Sequence, residues 1–244
     1  MIAKVHCETA PSKTEFGKAL RRAKCILFDM DGVLIDSMPN HAIAWQRSMA
    51  SFGIRMTALD AYMTEGARGV DTIRKMFLEQ QGRVIDDVEA QHMYDEKARL
   101  FAKLPIPRIM PYAIELQEML HSMDKEIGVV TGSGQKPLTD RIVRVFPRVT
   151  KENMVTAYDI KKGKPNPDPY LAGMAKFGVT PNETIVVENA PLGVIAGVAA
   201  KAYTVAVNTG ILDDSTLAKA GADIIFPNIK ALYEATEIYL GSAN

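Results

Sequence analysis

Cys25-Ile26-Leu27-Phe28-Asp29-Met30-Asp31-Gly32-Val33 begins as a compact apolar run and stops abruptly at a carboxylate. Four consecutive apolar residues followed by Asp, Asp and Gly read as a strand buried on both faces, the kind found inside a parallel sheet. The sequence after residue 110 supports that reading. Apolar strand segments at Ile127–Val130, Met154–Ala157, Thr184–Val187, Tyr203–Val207 and Asp223–Phe226 alternate with helical segments near Tyr112–Met123, Pro137–Phe146, Pro169–Phe177, Gly193–Ala200 and Ser215–Ala220. A last helix closes the chain, and a short one over Glu15–Arg22 precedes the first strand. Alternation of this kind predicts an α/β fold: a Rossmann-like parallel sheet with helices on both faces. Such sheets bind ligands at the carboxyl ends of their strands.

Between Pro39 and about Phe101 the periodicity is helical throughout, with Trp45, Met49 and Phe52 at helix spacing and Asp71 placed to cap a helix carrying Ile73, Met76 and Phe77. Leu104-Pro105-Ile106-Pro107 breaks the pattern. The expected organisation is a catalytic core of residues 1–37 and 105–244, with a small all-helical cap domain, 38–104, inserted after the first strand. The joints near Asp36–Pro39 and Leu104–Pro111 make the insert a candidate mobile cap over a site.

Composition narrows the function. Lys+Arg and Asp+Glu are both 29, so the formal net charge is zero, which removes the footprint of a nucleic-acid binder or a polybasic membrane protein. No apolar run approaches the roughly 20 residues of a membrane span. The N-terminal stretch has no signal-type hydrophobic segment, so a cytoplasmic location is expected. The two cysteines, Cys7 and Cys25, support neither a disulfide framework nor a zinc site.

Four polar clusters fall just past strand ends. Asp29 and Asp31, at i and i+2, point the same way if the extended geometry continues. Two such like charges need a cation or a proton between them, and a divalent metal with oxygen ligands is the natural partner. The plain alternative is a solvated turn; the remaining acids of a calcium loop are missing. Thr131-Gly132-Ser133-Gly134 offers hydroxyls and exposed backbone N–H groups to a phosphate, although residues of this kind also serve simply as helix caps. Lys164 is framed by prolines in Gly163-Lys164-Pro165-Asn166-Pro167, which presents one ammonium rigidly to a phosphoryl oxygen or to neighbouring carboxylates. Glu188-Asn189 closes a central strand and supplies oxygen ligands for magnesium, direct or through water; the alternative is a helix cap by Asn189.

In this order the clusters resemble the haloacid dehalogenase-like superfamily of phosphotransferases, over residues 25–230. The helical insert, with His41-Ala42-Ile43-Ala44-Trp45, is similar to the cap of the β-phosphoglucomutase-like subfamily. The resemblance implies that Asp29 is the nucleophile that becomes an aspartyl phosphate, and that Asp31 is the general acid/base. It implies Mg2+ on Asp29, the Asp31 backbone carbonyl and the Glu188/Asn189 pair. Thr131, Lys164 and, with them, Gly132 and Ser133 match the residues around the phosphoryl oxygens. His41 matches a cap histidine that positions the acid/base; without the resemblance, a lone helical histidine reads as structural. Asn189 stands where the family commonly has an acid. Glu65 and Gly69 stand where mutases carry a lysine and an arginine, which removes positive charge from a second phosphate site. Glu65 as an added metal ligand resembles an inorganic pyrophosphatase branch. The expected substrate is therefore a small phosphorylated molecule, pyrophosphate first and a sugar phosphate second, with no nucleic acid or membrane as partner. A β-phosphoglucomutase, a hexose-phosphate phosphatase or a catalytically silent binding protein are the alternatives; Asp29, Asp31 and Lys164 together argue against the last.

Overall fold

Helix α1 (Ala10–Arg22) leads into β1 (Cys25–Phe28), a tight loop and the two-residue β2 (Ile35–Asp36). Four helices follow: α2 (Met38–Ser51), α3 (Ala58–Met63), α4 (Gly69–Gln81) and α5 (Asp87–Phe101). The chain returns through β3 (Arg108–Ile109) and α6 (Ala113–Ser122) to β4 (Glu126–Val130), α7 (Lys136–Val145) and β5 (Met154–Val155). Then come α8 (Asp168–Phe177), β6 (Thr184–Glu188), α9 (Pro191–Ala199), β7 (Tyr203–Val207), α10 (Asp214–Lys219), β8 (Ile224–Phe226) and α11 (Ile229–Leu240). The computed structural model describes residues 10–240, so His6 and Cys7 lie outside the described residues. Among the described residues no helix is long and apolar enough to cross a membrane.

The six long-range strands form one parallel sheet in the order β5-β4-β1-β6-β7-β8. Its strands read as unbroken apolar runs because both faces are covered. Ile26 and Phe28 of β1 face a cluster shared with Val129, Val187, Leu20 of α1 and Leu116 of α6. Cys25 and Leu27 face the opposite cluster, with Val130, Val186, Tyr170 of α8 and Ala196 of α9. Fully burying one such large apolar side chain contributes about 1.5–3 kcal/mol of transfer free energy, so this alternation fixes the register. That register sets the site: Phe28 pairs with Val129 on one side and Val187 on the other. Asp29, Val130 and Glu188 therefore emerge at one level, at the carboxyl edge of the sheet.

The helical insertion has its own apolar cluster, built on Trp45, Met49, Ile73, Phe77 and Met93. Local signals set its helix ends. Thr57 and Asp60 form a reciprocal capping box on α3, Asp86 caps α5 through the Glu89 N–H, and Gly82 ends α4 in the left-handed conformation. Asp71 does not cap α4: Arg68 occupies the cap position, and Asp71, inside the first turn, accepts two hydrogen bonds from the Arg68 guanidinium. The joints also differ from a plain linker. β2 and β3 pair antiparallel, Ile35 with Ile109 and Asp36 with Arg108, and tie the way into the insertion to the way out. Leu212, from the loop after β7, is buried in the insertion's cluster and anchors it to the core.

Candidate active site

The loop after β1 folds back tightly. Gly32 takes a positive φ of 81°, its N–H donates to the Ile35 carbonyl, and Leu34 N–H donates to Met30. Asn189 Nδ2 lies 1.9 Å from where a Gly32 Cβ would stand, so only glycine fits there. The outcome is that Asp29 and Asp31 are both buried, 3% and 1% exposed, yet have different partners.

Asp29 belongs to the core. Its carboxylate accepts a 2.6 Å hydrogen bond from Lys164 Nζ, which also donates to Glu188 Oε1 at 2.7 Å and to the Val130 carbonyl at 3.1 Å. Burial raises the Asp29 carboxyl well above the usual range, with Glu188 and Asp31 adding to it and Lys164 opposing. Burial works against the Lys164 ammonium, but Asp29 and Glu188 outweigh it and hold the lysine above its ordinary range. Tyr170 donates from its hydroxyl to Glu188 Oε1 at 2.7 Å, while the N–H groups of Asn189 and Ala190 donate to Glu188 Oε2.

Asp31 is held from the insertion side. Ser37 Oγ donates to Asp31 Oδ1 at 2.5 Å, and His41 Nε2 lies 3.1 Å from the same oxygen. Lys97 Nζ lies 2.7 Å from His41 Nδ1 and 4.8 Å from the centroid of the Trp45 ring. An ammonium at Lys97 donates to Nδ1, which leaves the ring proton on Nε2 facing Asp31. Burial opposes ionisation of Asp31, but His41 and Ser37 outweigh it and bring its carboxyl below the usual range. Burial lowers Lys97 to about 8, against the pull of Glu65 and Asp31.

The remaining expected residues line the same edge. Thr131 and Ser133 are buried, and Thr131 Oγ1 accepts from the Ser133 N–H at 2.9 Å. Gly132 carries the loop under the insertion, where its missing Cβ would lie 2.4 Å from the Gly66 carbonyl oxygen. Glu65 is half-buried, and the charges acting on it are chiefly those of His41, Asp31 and Lys97. Burial is the main cause that raises its carboxyl. The structure thus brings Glu65 to the group formed by Asp31, His41 and Lys97. Glu188, also expected as a metal ligand, has both oxygens engaged by Lys164, Tyr170 and backbone N–H groups.

Among the described residues no group of three or more His, Cys, Asp and Glu side chains is placed to hold a metal. A mixed oxygen set fits one better. Asn189 is 6% exposed and its Oδ1 is buried without a hydrogen-bond partner. It does not cap α9, where Ala190 holds the cap position. An orphaned amide oxygen on the residue that follows Glu188, at the sheet edge where Asp29 also emerges, is a suitable donor for a hard divalent cation.

Sequence reasoning missed Lys97, Ser37 as an Asp31 partner, and Tyr170. Lys97 had a legible signal: Met93, Lys97 and Phe101 recur at i, i+4 and i+8, which places a lysine in the buried stripe of α5.

A family model for haloacid dehalogenase-like hydrolases matches residues 23–201. Hexitol phosphatase A of Escherichia coli (strain K12) is 33% identical over 187 residues, 77% of this chain and 84% of that protein. Glycerol-1-phosphate phosphohydrolase 1 of Saccharomyces cerevisiae is 30% identical over 217 residues, 84% of this chain and 82% of that protein. A Bacteroides vulgatus structure provisionally assigned as a β-phosphoglucomutase is 40% identical, with a TM-score of 0.88 over 94% of this chain and 98% of that one. The extent of the family match, together with these relatives, shows that the chain belongs to the haloacid dehalogenase-like hydrolases.

Proposed function

We propose that the chain is a phosphatase acting on small polyol or sugar monophosphates by phosphoryl transfer to Asp29. One observation carries the reading. Two carboxyl groups two residues apart sit in opposite environments, Asp29 clamped by Lys164 and Asp31 connected through His41 to Lys97. The partners, not the resting protonation, divide the roles: a lysine able to hold a phosphoryl oxygen stands beside Asp29, and a chain able to resupply a proton stands behind Asp31.

In this scheme the Asp29 carboxylate attacks phosphorus, the bond from phosphorus to the ester oxygen breaks, and Asp31 gives that oxygen its proton. Lys97 and His41 form the proton reserve: a proton passes from His41 Nε2 to Asp31 while Nδ1 takes one from Lys97. Asp31 then removes a proton from the water that hydrolyses the aspartyl phosphate. Lys164 and the Thr131 hydroxyl hold the phosphoryl oxygens. A divalent cation, Mg2+ in the family pattern, would rest on the Asp29 carboxylate, the Asp31 backbone carbonyl and Asn189 Oδ1 and neutralise phosphoryl charge. The insertion acts as a lid, because the cavity it closes has a volume of about 20 Å³, room for a water molecule or two.

The substrate class rests on the relatives, which are named for phosphate esters of hexitols and glycerol; the expected pyrophosphatase branch finds no support among them. Inorganic pyrophosphate stays as a second reading on one observation: the closed cavity is small and presents the Glu65 carboxylate. The same carboxylate and lack of volume disfavour the bisphosphate that a mutase must hold. Initial rates with Mg2+ on glycerol 1-phosphate, sorbitol 6-phosphate, β-glucose 1-phosphate and pyrophosphate decide between them. The expected result is a higher kcat/KM for the esters, with inorganic phosphate released and no isomerised sugar phosphate. Pyrophosphate ranking first overturns the main reading in favour of the second.

A further inference from the structure

Three cavities run in series along the Thr131–Gln135 loop. The innermost, of about 20 Å³, is the closed site beside His41, Glu65 and Lys97. The second, about 220 Å³, lies outside it between Arg68 of the insertion and Tyr158 of the core. The third, about 450 Å³, opens beyond Ser133 and Gly134 toward Lys136 and Lys151. Tyr94, Gly69 and Gly132 line both the first and the second, and of these only Tyr94 carries a side chain that can divide them. Ser133 lines the first and third, and Gly134 and Tyr158 line the second and third.

The Tyr94 ring is the partition. It lies against Gly69, where a Cβ would stand 2.2 Å from its Cδ2 and Cε2 atoms, so the glycine is what lets the ring lie flat on the start of α4. Its inner side meets the Trp45 ring at 6.5 Å between centroids and the Lys97 ammonium at 5.9 Å from its own centroid. Its hydroxyl faces the Gly134 backbone amide, across the seam between insertion and core. Large volume thus exists next to the site but on the far side of one aromatic ring.

We propose that Tyr94 sets the size of the leaving group, favouring small ones over large, and that its removal joins the inner cavity to the outer two. This rests on the phosphohydrolase reading but holds for either substrate class, since it concerns volume and not the chemistry of the leaving oxygen.

The test compares wild type, Tyr94→Phe, Tyr94→Leu and Tyr94→Ala on two size series with Mg2+: glycerol 1-phosphate, sorbitol 6-phosphate and a disaccharide 6-phosphate; and pyrophosphate against tripolyphosphate. Wild-type kcat/KM is expected to fall with size in whichever series is turned over. In Tyr94→Ala the large-to-small ratio rises by about tenfold or more, the scale of discrimination that pocket shape supplies. Tyr94→Leu shows the same direction to a lesser degree, and Tyr94→Phe, which keeps the ring, retains the wild-type ratio. Circular dichroism and Tm identify a misfolded variant; if Tyr94→Ala fails there, Tyr94→Leu carries the comparison. A ratio within twofold of wild type in folded Tyr94→Ala or Tyr94→Leu overturns the proposal while leaving the phosphohydrolase reading intact. Absence of turnover in both series overturns both.

Discussion

Replacing Gly132 with alanine tests whether catalysis depends on the insertion closing onto the core. A Cβ at this position would lie 2.4 Å from the Gly66 carbonyl oxygen, 2.9 Å from its carbon and 3.1 Å from the Ala67 carbonyl oxygen. These neighbours are backbone, so no side chain can swing aside. Ordinary contact begins near 3.4 Å, so the edge of the insertion must retreat by 1 Å at that point. His41 and Lys97 ride on the insertion, and a 1 Å misplacement of positioning groups costs about 10²-fold in rate, or about 2.7 kcal/mol of barrier. The loss should depend on the leaving group. Under the proposed scheme a polyol oxygen takes its proton from Asp31, so kcat/KM on glycerol 1-phosphate should fall by about 100-fold. The nitrophenolate of p-nitrophenyl phosphate leaves without much protonation and should lose less than about tenfold. The core should still fold, because Gly132 has no left-handed φ, although the displaced insertion is expected to lower Tm somewhat. Steady-state kinetics on both substrates, with Tm alongside, make the measurement. Glycerol 1-phosphate turnover within threefold of wild type, or equal losses on the two substrates, would refute the reasoning.

Three further outcomes are expected. Asp29→Asn should lower kcat by at least about 10³-fold, roughly 4 kcal/mol, while the far-UV spectrum is retained, since Glu188 still pairs Lys164; activity within tenfold of wild type would remove Asp29 as nucleophile. Lys97, lowered to about 8 by burial, should give kcat/KM an alkaline limb near that pH, and Lys97→Arg, which keeps its charge, should move the limb upward. The unfolded chain binds more protons than the native one between about 8 and the ordinary lysine value of 10.5, so this group makes stability rise with pH across that window, and Lys97→Met should flatten the rise in denaturant titrations. Gln117 is 1% exposed with both amide atoms unpaired, so Gln117→Met should stabilise by about 1 kcal/mol, seen as a Tm gain of about 2–4 °C. An unchanged or lower Tm would count against the unpaired amide as a cost.

What could be read from the sequence, and what could not, follows from how each signal is encoded. The parallel core was legible because a strand buried on both faces writes itself as an unbroken apolar run, as at Cys25–Phe28 and Thr184–Val187. The strand-end residues Asp29, Thr131 and Glu188 were legible for the same reason: the polar residue that breaks each run stands at the edge where ligands bind. β2 and β3 were not, because two residues carry no periodicity and their pairing joins segments more than 70 positions apart. Lys97 was read past because a lysine on a helix is usually solvated, and only its i, i+4, i+8 company shows otherwise. Glu188 and Asn189 looked alike as neighbouring oxygen donors. Which of them is spent on Lys164 and Tyr170 and which keeps an orphaned oxygen is a matter of side-chain direction, which spacing does not encode.

The division of labour between the two parts gives the lid a chemical consequence under the proposed reading. Every partner of Asp29 comes from the core: Lys164, and through it Glu188 and Val130. The proton supply of Asp31 comes from the insertion, His41 from α2 and Lys97 from α5. Moving the insertion away leaves the nucleophile and its lysine intact but separates the acid/base from its reserve and admits water. An open enzyme therefore holds a competent nucleophile and an acid that cannot be resupplied, so a poor leaving group stays bound to phosphorus. Closing the insertion restores the chain from Lys97 through His41 to Asp31 and shrinks the space to about 20 Å³ in the same movement. Coupling protonation to closure in this way restricts transfer to substrates small enough to let the insertion close, which is the physical reason that cavity size and leaving-group chemistry should vary together in variants at Gly132 and Tyr94.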